Sequence, residues 1–183
     1  MTAVRYDAVV LAGGTSRRMG VADKTRTRVG GVPLLDRTLT ALHGADRVVV
    51  VGEQRPTDLD VLWAREDPIG AGPAAAMAAG LDHVTAEVVV LLAADLPLIT
   101  GADIESLVAA VARDGAVYLD DEGRQQWLCS AWRTAALRQA PLVAGASMRE
   151  TLAGLEIVGL HATASVLDCD TPDDLVRAEE LLK

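Results

Sequence analysis

Residues 6–24 read YDAVVLAGGTSRRMGVADK. The first seven, YDAVVLA over 6–12, form a short apolar run that ends in Gly13-Gly14. A run of this length closed by glycines fits a strand buried on both faces, as in a parallel sheet. RVVVV at 47–51, closed by Gly52, has the same character, and EVVVLLAA at 87–94 is the strongest strand in the chain. Further strands are expected at 61–65, 115–119, 126–132, 155–160 and 165–168.

Helical segments alternate with these strands. Residues 33–43 begin at Pro33, a favoured first helical residue, and place Leu34, Leu35, Leu39 and Leu42 at helical spacing. Residues 73–84 follow Gly72-Pro73 and are rich in alanine, small enough for the helix to lie close to the sheet or a ligand. Thr100 and Asp103 are spaced to cap a helix over 101–113. Helices are also expected near 134–139 and 147–153. The last starts at Thr171-Pro172-Asp173-Asp174, where a cap, a proline and two acids facing the dipole coincide. The alternation implies an α/β fold: one Rossmann-like three-layer domain over residues 1–183 with a mostly parallel sheet. Right-handed crossovers gather the strand C-termini on one edge, where ligands bind. No repeat, low-complexity stretch or linker divides the chain, and 115–133 reads as a hairpin inserted on the substrate side.

Composition narrows the function. Of 183 residues, 50% are hydrophobic and 23% charged, which excludes a disordered chain. No apolar run approaches the roughly 18 residues of a membrane span. Arg5, Tyr6 and Asp7 interrupt any signal-peptide pattern, and Cys129 and Cys169 are too few for a disulfide scaffold, so a cytoplasmic enzyme is expected. The formal charge is −9, which argues against nucleic acid, and 3% aromatics without phenylalanine make no base-stacking platform. The charge is uneven: residues 1–28 carry six basic and two acidic side chains, a net of +4. A basic N-terminal end on an acidic protein suggests a small anionic ligand.

Within LAGGTSRRMGVADK, residues 11–24, Gly13 and Gly14 let backbone N–H groups approach a ligand. Thr15 and Ser16 add hydroxyls, and Arg17, Arg18 and Lys24 add charge. The mixture suits phosphates, since charge-assisted hydrogen bonds are worth roughly 1.5–3 kcal/mol each. The string is neither a Walker A loop nor a Rossmann fingerprint. A plain glycine turn with solvated arginines would explain Gly-Gly alone, but not the converging hydroxyls and charges.

LAGG-TS-RRMG-VA-DK resembles the signature of nucleotidyltransferases that move a nucleoside monophosphate from an NTP onto a phosphorylated acceptor. Within them it is most similar to the molybdenum cofactor guanylyltransferases (MobA-like NTP transferases), which join GMP to molybdopterin. The resemblance spans the chain: the glycine loop, Asp67 with Gly72-Pro73, AADLP at 93–97, and DCDTPDDL at 168–175. It implies that Leu11, Ala12, Gly13, Gly14, Thr15, Ser16, Lys24, Asp67, Gly72 and Asp95 bind the nucleotide. It implies catalytic roles for Lys24 and Arg18, with Asp95 as the Mg²⁺ ligand. The implied partners are GTP and molybdopterin or Mo-molybdopterin, with no nucleic acid and no membrane, for a monomer or weak homo-oligomer.

Competing readings stand beside several of these. Asp95 also fits an acid opening a turn before Pro97. Asp170 is a candidate second metal ligand or part of the helix entry. Asp67 is a nucleotide contact or a surface acid, because the family's Gly-Pro-Leu-Ala-Gly appears here as Gly72-Pro73-Ala74-Ala75-Ala76. Asp168 and Asp170 stand where molybdopterin-using members often carry Asn. CTP with molybdopterin, or GTP with phospholactate, therefore remain alternative substrate pairs. A non-catalytic nucleotide-binding protein is the alternative of another class. Cys129 reads as a buried thiol, and His43, His83 and His161 lack metal-ligand spacing. Trp127 and Trp132 fit core packing or a pterin stack, and Arg133, Arg138 and Arg149 fit surface charge or an acceptor phosphate.

Overall fold

The computed structural model describes residues 4–13, 27–161 and 164–183. In chain order it contains β1 (Tyr6–Leu11), β2 (Arg28–Val29), β3 (Val32–Pro33), α1 (Leu34–Thr40), β4 (Arg47–Val51) and β5 (Leu62–Ala64). Then come α2 (Pro73–Leu81), β6 (Val88–Ala93), α3 (Gly101–Ala110), β7 (Gly115–Leu119) and β8 (Gln125–Arg133). The chain ends with α4 (Thr134–Gln139), α5 (Met148–Leu152), β9 (Ile157–His161), a 3₁₀ turn (Ala164–Val166) and α6 (Pro172–Leu181).

Seven strands form one sheet in the order β5-β4-β1-β6-β8-β7-β9. The pairs β1–β4, β1–β6, β4–β5 and β7–β9 are parallel, and β8 runs antiparallel to both its neighbours. Alternate residues of each central strand fill two cores. Ala8 and Val10 of β1 face Leu35 and Leu39 of α1 and Ile104 and Leu107 of α3. Val9 and Leu11 face Met77 and Leu81 of α2, with Leu137 and Leu152 from α4 and α5. A helical layer therefore covers each face, which is why the strands read as continuous apolar runs. In α2 the small Gly80 sits against Val9 and Val51, so this helix lies close to the sheet. No helix among the described residues is long and apolar enough to cross a membrane.

Three expectations are corrected. Residues 115–133 are not an insertion: β8 lies inside the sheet between β6 and β7. Its side chains Cys129, Ala131 and Trp132 fill both cores, so burial holds the hairpin in the sheet. Residues 165–168 are not a strand. Leu167 N–H turns back to the Ala164 carbonyl (3.2 Å), and Leu167 then packs with Val29, Leu34, Cys169 and Ala178 beside α6. Pro33 is the N-cap of α1, not its first helical residue, because it is still extended and paired with Arg28 in the β2–β3 hairpin. That hairpin turns at Gly30-Gly31, with φ of 56° and 78°, the two positive values a type I′ turn needs.

The Trp132 indole has no exposed surface, stacks on Trp127 at 6.3 Å and donates its Nε1–H to Ser130 Oγ at 2.7 Å. A Cβ at Gly115 would fall within 2.8 Å of its Cδ2 and closer to two other ring atoms. Because the ring cannot withdraw, Gly115→Ala is expected to lower stability by about 2–3 kcal/mol in a urea titration. An unchanged midpoint would contradict this packing.

Candidate active site

The C-terminal edge of the sheet is built as a staircase of backbone bonds. Leu11 is in register with Val51 on one side and Ala93 on the other. Past the strands, Ala12 N–H donates to Val51 O (2.8 Å), Gly52 N–H to Ala64 O (2.9 Å), and Ala94 N–H to Leu11 O (3.1 Å). Leu11, Ala12, Gly13 and Asp95 therefore leave adjacent strands on the same edge. Gly13 is exposed and Asp95 half-buried. Gly14, Thr15, Ser16, Arg17, Arg18 and Lys24 lie outside the described residues. Where the described chain resumes, Thr27 O accepts from Leu34 N–H (2.9 Å), joining the hairpin to α1.

The turn carrying Asp95 is held from two sides. Cys169 N–H donates to Asp95 O at 3.2 Å, which brings the segment Asp168–Asp170 against it. Cys169 itself is fully buried among Val29, Leu34 and Ala178, so its neighbours Asp168 and Asp170 are held by packing as well as by that bond. Asp174 Oδ2 accepts from Asp170 N (3.0 Å) and Thr171 N (2.7 Å), and Thr171 caps α6. From the other side, the buried Thr38 hydroxyl of α1 accepts the Leu96 N–H at 3.2 Å. Its own proton has the Leu34 and Leu96 carbonyls as acceptors, at 3.2 and 3.4 Å.

The described residues contain no group of three or more His, Cys, Asp or Glu around one point. Mg²⁺ does not require one, since it takes one or two carboxylates plus substrate phosphates and waters. A half-buried Asp95 beside Asp168–Asp170 offers hard oxygen donors of that kind and fits the ion.

On the other side of β1, the loop after β5 carries Glu66 and Asp67. Asp67 is exposed. Glu66 is half-buried, and its Oε1 accepts from Gly70 N–H at 3.0 Å. Gly72, with φ 94°, is the N-cap of α2, and Gly145 N–H fixes the preceding Ala71 carbonyl at 2.8 Å. The positive end of the α2 dipole thus lies on the site edge. On α1, burial pushes the Asp36 carboxyl above the usual range and the Asp58 charge adds repulsion, while a hydrogen bond from the Asp58 backbone and the charges of Arg55 and Arg28 oppose it.

Other candidates go to structural tasks. Trp132 is core, Arg133 Nε donates to Arg113 O, and Arg138 ties off the Leu81 and Val84 carbonyls after α2. Arg149 is exposed on the short α5, and all three histidines are exposed. Burial pushes the Cys129 thiol well up, which leaves it unreactive. Two residues escaped the sequence reading. Thr38 was marked by a hydroxyl on the leucine face of α1, and Glu66 by its place next to Asp67.

A mostly parallel sheet covered on both faces, with Gly13 and the strand-terminal Asp95 on its C-terminal edge, is an arrangement suited to binding a nucleotide. Residues 8–166 match the family model of the MobA-like NTP transferase domain, and the chain belongs to that family. A probable molybdenum cofactor guanylyltransferase of Natronomonas pharaonis is 30% identical over 95% of this chain and 96% of its own. One from Mycobacterium tuberculosis is 35% identical over 78% and 75%. The solved molybdopterin-guanine dinucleotide biosynthesis protein A of Archaeoglobus fulgidus shares the fold. Its TM-score is 0.73 at 22% identity, over 96% of this chain and 98% of that one.

Thr38→Val removes the acceptor for Leu96 N–H while keeping the shape. It is expected to cost about 1–3 kcal/mol of unfolding free energy, and Thr38→Ser to recover most of it. Equal denaturation midpoints for the Thr38→Val variant and the wild-type protein would show that the hydroxyl does not hold the Asp95 turn.

Proposed function

We propose that the chain is a guanylyltransferase that joins GMP from GTP to molybdopterin or Mo-molybdopterin and releases pyrophosphate. One observation carries the reading: β1 ends at Gly13 beside the Asp95 turn on one sheet edge, joined by the bond from Ala94 N–H to Leu11 O, and the bond from Cys169 N–H to Asp95 O brings the Asp168–Asp170 segment to that turn. The relatives' name, molybdenum cofactor guanylyltransferase, supports guanylyl transfer in the chemistry of that cofactor.

A terminal phosphate oxygen of the acceptor bonds to the α-phosphorus in line, and the bond from that phosphorus to the pyrophosphate oxygen breaks. No covalent enzyme intermediate is needed, so the protein's work is positioning and charge neutralisation. The backbone of Leu11, Ala12, Gly13 and Gly14, with the Thr15 and Ser16 hydroxyls, cradles the triphosphate. Arg18 and Lys24 neutralise charge growing on the leaving pyrophosphate and the α-phosphate. Asp67 and Gly72 bound the nucleotide on the β5 side. Asp95 holds Mg²⁺, with Asp170 as the second carboxylate. The ion, when bound, polarises a phosphoryl oxygen as a Lewis acid. We place this enzyme in the cytoplasm, as a monomer or weak homo-oligomer.

Pyrophosphate release with Mg²⁺ and molybdopterin is expected with GTP and not with ATP, UTP or CTP. Release with CTP alone would move the chain to the cytidylyl reading that Asp168 and Asp170 keep open. Release with no nucleotide would contradict the proposal. Lys24→Ala is expected to lower kcat by about 10²–10³ with an unchanged circular dichroism spectrum; near-wild-type turnover would remove its role. Asp95→Ala is expected to abolish Mg²⁺-dependent turnover. Undiminished turnover at low Mg²⁺ and saturating GTP would refute the metal assignment.

A further inference from the structure

Glu66 is an acid on the site edge that the proposed reaction leaves without a task. It follows β5, and the bond from Gly70 N–H to its Oε1 holds the side chain at 3.0 Å. The same oxygen comes within 3.8 Å of where a Cβ on Gly13 would stand. The carboxylate therefore reaches from the loop before α2 to Gly13 past the end of β1, while the neighbouring Asp67 is exposed. Asp95 leaves the sheet from β6, on the opposite side of β1. Phosphates held between Gly13 and Asp95 would leave the β5 side of β1, where Glu66 stands, for the base.

We propose that Glu66 selects the base, and that the base it selects is guanine. This inference rests on the nucleotidyl-transfer reading above. Guanine carries two adjacent donors, N1–H and the 2-amino group, which a carboxylate accepts side by side. Adenine and cytosine set a single exocyclic amine beside a ring nitrogen whose lone pair repels the second oxygen. Uracil has one N–H flanked by two carbonyls. The Gly70 bond does not exhaust Glu66, because each carboxylate oxygen has room for a second donor. It also fixes the acid before the nucleotide arrives, so little side-chain entropy is lost on binding.

The test is calorimetric binding of GTP, CTP and ITP, with Mg²⁺, to the wild-type chain, Glu66→Gln and Glu66→Ala. Inosine triphosphate keeps N1–H and lacks the 2-amino group. The wild-type chain is expected to bind GTP at least about tenfold more tightly than ITP, as one hydrogen bond to a charged group predicts. That ratio is expected to fall to near one in both variants. Glu66→Gln keeps an oxygen for Gly70 N–H and guards against a folding defect. A GTP-to-ITP ratio unchanged in both variants, or a wild-type preference for CTP, would overturn the inference while leaving nucleotide transfer intact. GTP selected through Glu66 with no pyrophosphate released would uphold the inference and overturn the transfer reading instead.

Discussion

Ala8, Val9 and Val10 of β1 have no exposed surface, and Val49, Val50, Val89 and Val90 beside them have none either. The one carboxylate in β1, Asp7, is buried and accepts from the Thr85 and Ala86 N–H groups at the far end of the strand. Chemistry is available only where the strand ends and its backbone emerges. Parallel neighbours in register bring several such ends to one level, and here they are Ala12, Gly52, Ala64 and Ala94. The site follows from that constraint. The two cores consume the side chains of the sheet, and the loops just past its C-terminal edge inherit the task of meeting a ligand.

Those loops are not held by the sheet alone. The Asp95 turn is gripped by Thr38 from α1 and by Cys169 from the segment before α6. The Cys169 side chain shares a small core with Val29 and Leu34, which follow the glycine loop in the chain. Arg37 Nε fixes the Val29 carbonyl at 2.6 Å, and Glu179 of α6 accepts from Gly30 N–H at 3.3 Å. One packed unit therefore joins the β2–β3 hairpin, the Asp95 turn and the last helix. The C-terminal helix is part of the site's scaffold, although it contributes no strand to the sheet.

Much of this was legible in the sequence because it is local. The apolar runs at 6–12, 47–51 and 87–94 announce doubly buried strands, and Thr100–Asp103 and Thr171–Asp174 form the capping boxes their spacing predicts. What failed depends on distant partners. Nothing local says that β8 pairs between β6 and β7, since that register is decided by where Trp132 and Ala131 find cover. The run 165–168 has strand-like residues, yet its neighbours are α6 and the β2–β3 hairpin, which offer no ladder. The Gly30-Gly31 turn carried its signal openly, but strands of two residues are too short for a periodicity to register. The resemblance names Gly13 and Asp95, and the pairing of β1 with β6 brings these two chain positions to one sheet edge. Thr38 works through a contact 58 residues away, and Glu66 lies near Gly13 only because β5 and β1 end on the same edge, which no spacing rule reaches.

The central claim is chemical, and the mass of the product tests it most directly. The purified chain, given GTP, Mg²⁺ and molybdopterin, should form an adduct heavier than molybdopterin by one guanylyl group, with one pyrophosphate released per adduct. GDP and inorganic phosphate as the products, or an unchanged molybdopterin mass with GTP intact, would contradict the account.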